Sequence, residues 1–170
     1  MQITQTPRLL INHFTPDDAP FILNILNSPG WLQFIGDRNV KTLEAAQQYT
    51  KDKLIGGYEK FGFGMYAVRL KETNETIGMC GLVKRDYLQY ADIGYAFLPE
   101  FGGKGYALEA TTAVLRYANE TLKLDPILAI VTPANLGSIK LLEKLDFAVQ
   151  GNIVQNGEEL LLFKRTISTG

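Results

Sequence analysis

The sequence predicts a mixed α/β fold (α+β), with helices flanking a mostly antiparallel central sheet. Three observations carry this. Short β-branched and aromatic runs recur along the chain. Stretches with apolar residues at helical spacing separate them. Brief polar turns join neighbouring strand candidates, which only antiparallel pairing permits. The expected order is strand, two helices, three strands, helix, strand, helix, two strands.

Arg8 to Phe14 reads as the first strand. Thr15-Pro16-Asp17-Asp18 opens a helix, with a hydroxyl N-cap, proline in the first turn and acids beside it. Ala19, Ile22, Leu23 and Leu26 give its apolar face, and Ser28-Pro29-Gly30 reads as its stop. Trp31 to Lys41 is read as a loop. Thr42 caps a second helix, with Ala46, Tyr49 and Lys53 on one face, ending near Gly56-Gly57 or Gly62. Phe63 to Leu70 and Thr76 to Lys84 are strands around a polar turn at Glu72-Thr73-Asn74-Glu75, and Asp92 to Leu98 is another.

A glycine-rich loop follows, and then a helix with a narrow stripe of Ala107, Ala110, Val114 and Ala118. Small residues there let a helix lie close to a sheet. Pro126 to Val131 is a short buried strand, and Asn135 opens a helix carrying Ile139, Leu142 and Leu145. Phe147 to Gln155 and Glu158 to Thr166 flank Asn156-Gly157, a strong hairpin signal.

Composition narrows the function classes. A chain of 170 residues fits one domain spanning 1–170. Net charge is −1, which offers no bulk electrostatic case for nucleic acid or an anionic membrane. The lone Cys80 permits no internal disulfide and fits a cytoplasmic setting. Met1 to Pro7 has no leader-like pattern, and no apolar run is long enough to cross a bilayer. One His and one Cys make no zinc cluster, so no metal is expected.

The most informative segment runs from Tyr95 to Ala107. A strand stops at Pro99, a loop with three glycines follows, and a helix begins. Amides at a helix start lack partners and lie at the positive end of the macrodipole, and glycines let a phosphate come close. The loop is therefore a candidate anion site.

Three segments resemble the Gcn5-related N-acetyltransferase (GNAT) family, in the branch that includes ribosomal-protein alanine acetyltransferases. They are Asp92-Ile93-Gly94-Tyr95-Ala96-Phe97-Leu98-Pro99, the loop and helix start Gly102 to Ala110, and the helix Asn135 to Phe147. The resemblance implies acetyl-CoA as co-substrate. Its pyrophosphate would lie on Gly102, Gly103, Lys104, Gly105, Tyr106 and Ala107, and its arm along Tyr95, Ala96, Phe97 and Leu98. Asn135 would bond the arm, Ser138 would sit near the sulfur, and Lys144 would reach the adenosine phosphate or serve only its helix end. Two departures stand out. Gly102 replaces a larger residue usual in such loops, and Asp146 stands where a glycine usually follows the helix.

Direct transfer of an acetyl group to an amine needs a proton acceptor and a partner for the leaving thiolate, and no enzyme nucleophile. Asp92 is the candidate base, with water as intermediary, or else a strand-end carboxylate paired with a cation such as Arg85. Ser138 is the candidate thiolate partner, because the position where relatives carry Tyr is Leu142 here. His13 and Cys80 read as structural. Trp31, Phe34, Asp37, Arg38 and Arg85 are the candidate acceptor contacts. The acceptor is a protein N-terminus or an amine-bearing small molecule. A non-catalytic acyl-CoA-binding module on the same fold is the contrasting class. Exposed strand edges near the C-terminal hairpin leave monomer and homodimer both open.

Overall fold

The computed structural model describes residues 1–166, so the last four residues of the expected 1–170 span lie outside it. The strands are β1 (Gln2–Gln5), β2 (Leu9–Asn12), β3 (Met65–Leu70), β4 (Thr76–Val83), β5 (Asp92–Phe97), β6 (Ile127–Val131), β7 (Ala148–Gln155) and β8 (Glu158–Arg165). The helices are α1 (Ala19–Leu26), α2 (Pro29–Phe34), α3 (Leu43–Tyr49), α4 (Gly56–Phe61), α5 (Tyr106–Glu120) and α6 (Leu136–Lys144). All eight strands form one sheet in the order β1-β2-β3-β4-β5-β6-β8-β7. Every neighbouring pair is antiparallel except β5 and β6. That parallel pair is connected through α5, as a crossover requires.

Alternation along the strands divides the apolar side chains between two faces. Tyr66 and Val68 of β3 join the core under α5 and α6, with Val114, Leu115, Ala118 and Leu142. Ala67 between them joins the opposite core under α1 and α3, with Ile22, Ile25, Leu26 and Ala46. The small stripe of α5 packs as its composition predicts, with Ala110, Val114 and Ala118 fully buried. In β4, Gly78 is imposed by close approach: an added Cβ would stand 2.4 Å from the Phe97 ring. Asn156 and Gly157 both have positive φ, at 53° and 78°, as a tight hairpin turn requires.

The structure departs from the sequence expectation in three places. The chain begins with an extra edge strand, β1, pairing with β2. α1 ends at Leu26 as expected, but Ser28-Pro29-Gly30 also starts α2, with Ser28 at the N-cap and Pro29 in the first turn. The supposed loop from Trp31 is thus partly helical. The second helix is helical from Leu43 to Phe61, but Thr50–Ile55 is a π-helical stretch. There the Thr50 hydroxyl donates to the Ala46 carbonyl at 2.7 Å and competes with the ordinary ladder. Gly62, at φ 78°, ends the helix.

Asp146 takes the left-handed conformation after α6, at φ 68°. A side chain there costs about 1 kcal/mol relative to glycine. Asp146→Gly is therefore expected to stabilise the fold by about 1 kcal/mol, read as a higher urea midpoint at unchanged m-value.

Candidate active site

The site begins where β5 and β6 part. Their pairing is one register position, Asp92 against Leu128, with Leu128 N–H donating to Ala91 O at 2.9 Å. Beyond it, the β6-facing edge of Gly94 to Phe97 has no strand partner among the described residues. A cavity of about 500 Å³ opens there. One wall carries Tyr95, Ala96 and Phe97 from β5 with Asn135, Ser138 and Leu142 of α6 and its cap. The other carries Trp31, Phe34, Arg38, Tyr49 and Lys53.

A second cavity, of about 390 Å³, lies at the start of α5. Pro99–Phe101 makes one 3₁₀ turn, and Gly103 and Gly105 then adopt φ of 73° and 82°. This turns the first-turn N–H groups of Tyr106, Ala107 and Leu108 outward with no partner among the described residues. Lys140 and Lys144 line the same cavity from α6. Phe97 borders both cavities, so they meet at the C-terminal end of β5. Gly102 has an ordinary φ of −71°, and an added Cβ would meet only Pro99 O, at 3.4 Å. The loop's shape does not demand glycine at that position.

Arg8 braces this loop. Its Nε pairs with Glu109 Oε1 at 2.7 Å, a terminal nitrogen donates to Lys104 O at 3.0 Å, and its guanidinium lies 4.3 Å from the Tyr106 ring centroid. Glu109 also accepts from the Arg8 amide at 3.1 Å and from the Thr6 hydroxyl. Sequence reasoning missed Arg8, which nothing local ties to a loop so far along the chain. The one available signal was Glu109, an acid in the first turn of the helix.

At the α6 end of the first cavity, the Tyr95 hydroxyl hydrogen-bonds the Ser138 hydroxyl. Burial pushes the Tyr95 phenol up to about 12, so it keeps its proton at neutral pH. Asn135 caps α6, its side-chain oxygen accepting from Ser138 N–H at 3.2 Å. Leu142, one turn further on, is 1% exposed. The phenol of Tyr95 is the second functional group that sequence reasoning overlooked, having counted only that residue's backbone.

Asp92 stands at the vertex where the strands part. It is 1% exposed and accepts from Arg85 Nε at 2.9 Å. Burial pushes its carboxyl up to about 6, against the opposing pull of Arg85. A carboxylate lining a cavity and titrating near neutrality can exchange protons with a ligand.

Several expected contacts fall elsewhere. Asp37 does not line the cavity; it is exposed and pairs with Lys41 at 3.1 Å. Leu98 is buried in the α1–α3 core, and its N–H donates to Ile77 O at 2.9 Å, so it is unavailable to a ligand. The Lys104 ammonium lies over the Phe101 ring, 5.8 Å from its centroid, and only its carbonyl takes part, through Arg8. Trp31, Phe34, Arg38 and Arg85 do line the cavity. His13 stacks on Tyr58 with centroids 3.9 Å apart, away from both cavities. Cys80 is buried, and burial pushes its thiol up to about 12.

Residues 8–148 match the Acetyltransferase (GNAT) domain family. The uncharacterized N-acetyltransferase p20 of Bacillus licheniformis is 30% identical over 155 residues, covering 89% of this chain and 85% of that protein. An acetyltransferase from Agrobacterium tumefaciens superposes with a TM-score of 0.82 at 24% identity, over 98% of this chain and 95% of that one. RimL, a ribosomal L7/L12 alpha-N-protein acetyltransferase in complex with coenzyme A, superposes with a TM-score of 0.85 at 18% identity, over the whole of both chains.

Arg8→Ala removes the brace and is expected to speed hydrogen exchange of the Gly102–Tyr106 amides while sparing those of β3 and β4. Carboxyl NMR is expected to show Asp92 titrating near pH 6. In Arg85→Gln the opposing charge is gone, so that midpoint moves higher.

Proposed function

The chain belongs to the GNAT acetyltransferase family, whose reaction is transfer from acetyl-CoA, and we propose that it acetylates a primary amine by direct attack in a ternary complex. The observation that carries this is the unpaired edge of β5. It runs from the glycine-loop cavity to the larger cavity, which holds two hydrogen-bonded hydroxyls and a buried carboxylate.

The chain's own groups fit the co-substrate. Left-handed Gly103 and Gly105, the open amides of α5, and Lys140 and Lys144 suit a pyrophosphate and its neighbouring phosphate. The free edge of Tyr95 to Phe97 suits an amide-bearing arm that pairs as an added strand does. Bound there, acetyl-CoA supplies an activated thioester.

Ser138 is assigned to donate a hydrogen bond to the sulfur as negative charge builds on it. Tyr95 is assigned as the donor to Ser138 Oγ, which leaves the serine hydrogen free to point into the cavity. Asp92, ionised above about pH 6, takes the proton of the amine. Its short side chain and its bond to Arg85 favour transfer through one water. Arg85 fixes the carboxylate's direction and limits its basicity.

The acceptor class is an amine on a small molecule or a protein N-terminus. RimL, a neighbour in fold, is described as acting on an N-terminal amine of a ribosomal protein.

Thiol release from acetyl-CoA with a panel of amines and N-terminal peptides tests the reading. Coenzyme A binding without amine-dependent release would reduce the chain to a binding module. Ser138→Ala is expected to lower kcat by about 10²-fold with little change in coenzyme A affinity. Tyr95→Phe is expected to lower kcat about tenfold, and more steeply for acyl-thiol donors with poorer leaving groups. In wild type, kcat/KM rises with pH through about 6 and then levels as Asp92 ionises. Asp92→Asn is expected to lose that limb along with most of the rate.

A further inference from the structure

We propose that the acceptor is an amine carrying its own anionic group, a carboxylate or a phosphate, which seats against Arg38 and Lys53 while the amine faces Asp92. This rests on the acetyltransferase reading above and specifies the substrate class of that site.

The first observation is a local excess of positive charge. The whole chain has net charge −1, yet the charged residues lining the larger cavity are Arg38, Lys53, Lys84, Arg85 and Asp92. The single carboxylate is engaged by Arg85 at 2.9 Å. Lys84 is turned to backbone carbonyls, donating to Arg85 O at 3.2 Å and Leu88 O at 2.9 Å.

The second observation concerns which cations are left over. Arg38 and Lys53 have no carboxylate partner among the described residues. The acids nearest them in sequence are diverted. Asp37 pairs with Lys41 at 3.1 Å, and Asp52 accepts from the Gln48 amide at 2.6 Å. Arg38 lines the cavity beside Tyr49, its guanidinium 6.0 Å from the Trp31 ring centroid. Lys53 follows Tyr49 by four positions, so the π-helical stretch brings both to the same wall.

The phosphates of coenzyme A do not account for these cations. The glycine-loop cavity has its own cations, Lys140 and Lys144, with the α5 amides, and it touches the larger cavity only through Phe97. Arg38 and Lys53 line the cavity from solvent-exposed positions, so an anion reaches them without first being buried, and their attraction for it weakens with salt. The same field repels a polyamine or a Lys-rich peptide.

The test uses the full chain saturated with coenzyme A. Matched pairs are titrated by calorimetry: β-alanine against β-alaninamide, phosphoethanolamine against ethanolamine, and an Ala-Glu-Phe peptide amide against Ala-Gln-Phe. The small-molecule and peptide arms separate the two sources of the anion. The anionic member of at least one pair is expected to bind about tenfold tighter. Arg38→Gln and Lys53→Gln are each expected to cut that preference at least about threefold, and together to erase it, with coenzyme A affinity unchanged. Equal or tighter binding of the neutral member in every pair overturns the proposal. So does an equal loss for both members in the variants. Turnover is followed separately by thiol release. Discrimination without turnover would sink the acetyltransferase reading alone, and turnover without discrimination would sink this one alone.

Discussion

The parting of β5 from β6 is the constraint on which the site depends. Two parallel strands joined through α5 would ordinarily continue side by side, and each register position adds backbone bonds. Here they meet at Asp92 and Leu128 alone, and the sheet splits. The cost is a row of unpaired groups along β5, a feature most proteins cover or avoid. The sheet tolerates it because the other edge of β5 is fully paired with β4, from Asp92–Val83 to Phe97–Gly78. The strand is rigid on one side and open on the other. An extended ligand rich in amides can complete it.

The split also fixes the electrostatics. The one carboxylate placed at the vertex is the one whose ionisation burial makes costly. Without Arg85 the Asp92 carboxyl would move further from the ordinary range, and with it the group titrates near neutrality. Burial and pairing oppose each other, and their balance sets a basicity that neither gives alone. The hydroxyl pair across the cavity follows similar logic. Ser138 is poorly acidic and would find a backbone partner if left alone. The Tyr95 phenol, held protonated by burial, hydrogen-bonds the Ser138 hydroxyl and fixes it at the cavity wall.

Local features were legible in the sequence, and relations across the chain were not. The glycine loop, the Asn156-Gly157 turn, the Thr42 cap and the left-handed Asp146 all announce themselves within a few residues, and each has the expected backbone. β1 was invisible because Gln-Ile-Thr-Gln has no apolar alternation and exists only through its pairing with β2. Ser28-Pro29-Gly30 was ambiguous in principle, since proline both ends one helix and starts the next. Within the candidate site, Asp92, Ser138 and the loop were found by motif. Asp37 was misplaced because its preference for Lys41, four positions on, outweighs the cavity. Arg8, and the bond between Tyr95 and Ser138 43 residues apart, are products of the folded sheet.

The same distinction separates the phenol in the cavity from the helix position where the family resemblance predicts one. Leu142, where the family resemblance led to the expectation of a phenol, is fully committed to the core under α6. A phenol is nevertheless present, delivered from β5, and it meets α6 one turn earlier at Ser138. The outcome is a part-buried hydroxyl pair at the junction of strand and helix. Gly102 differs in kind. Its backbone accepts a side chain, so no steric demand holds the glycine there. With that side chain absent, the order of the loop falls to Arg8, which reaches across from the far edge of the sheet to Lys104 and Glu109. The glycine loop is therefore tied to the segment that joins the N-terminal strands. A change in how β1 and β2 sit on the sheet would reach the glycine loop through Arg8 and, by way of Glu109, through Thr6.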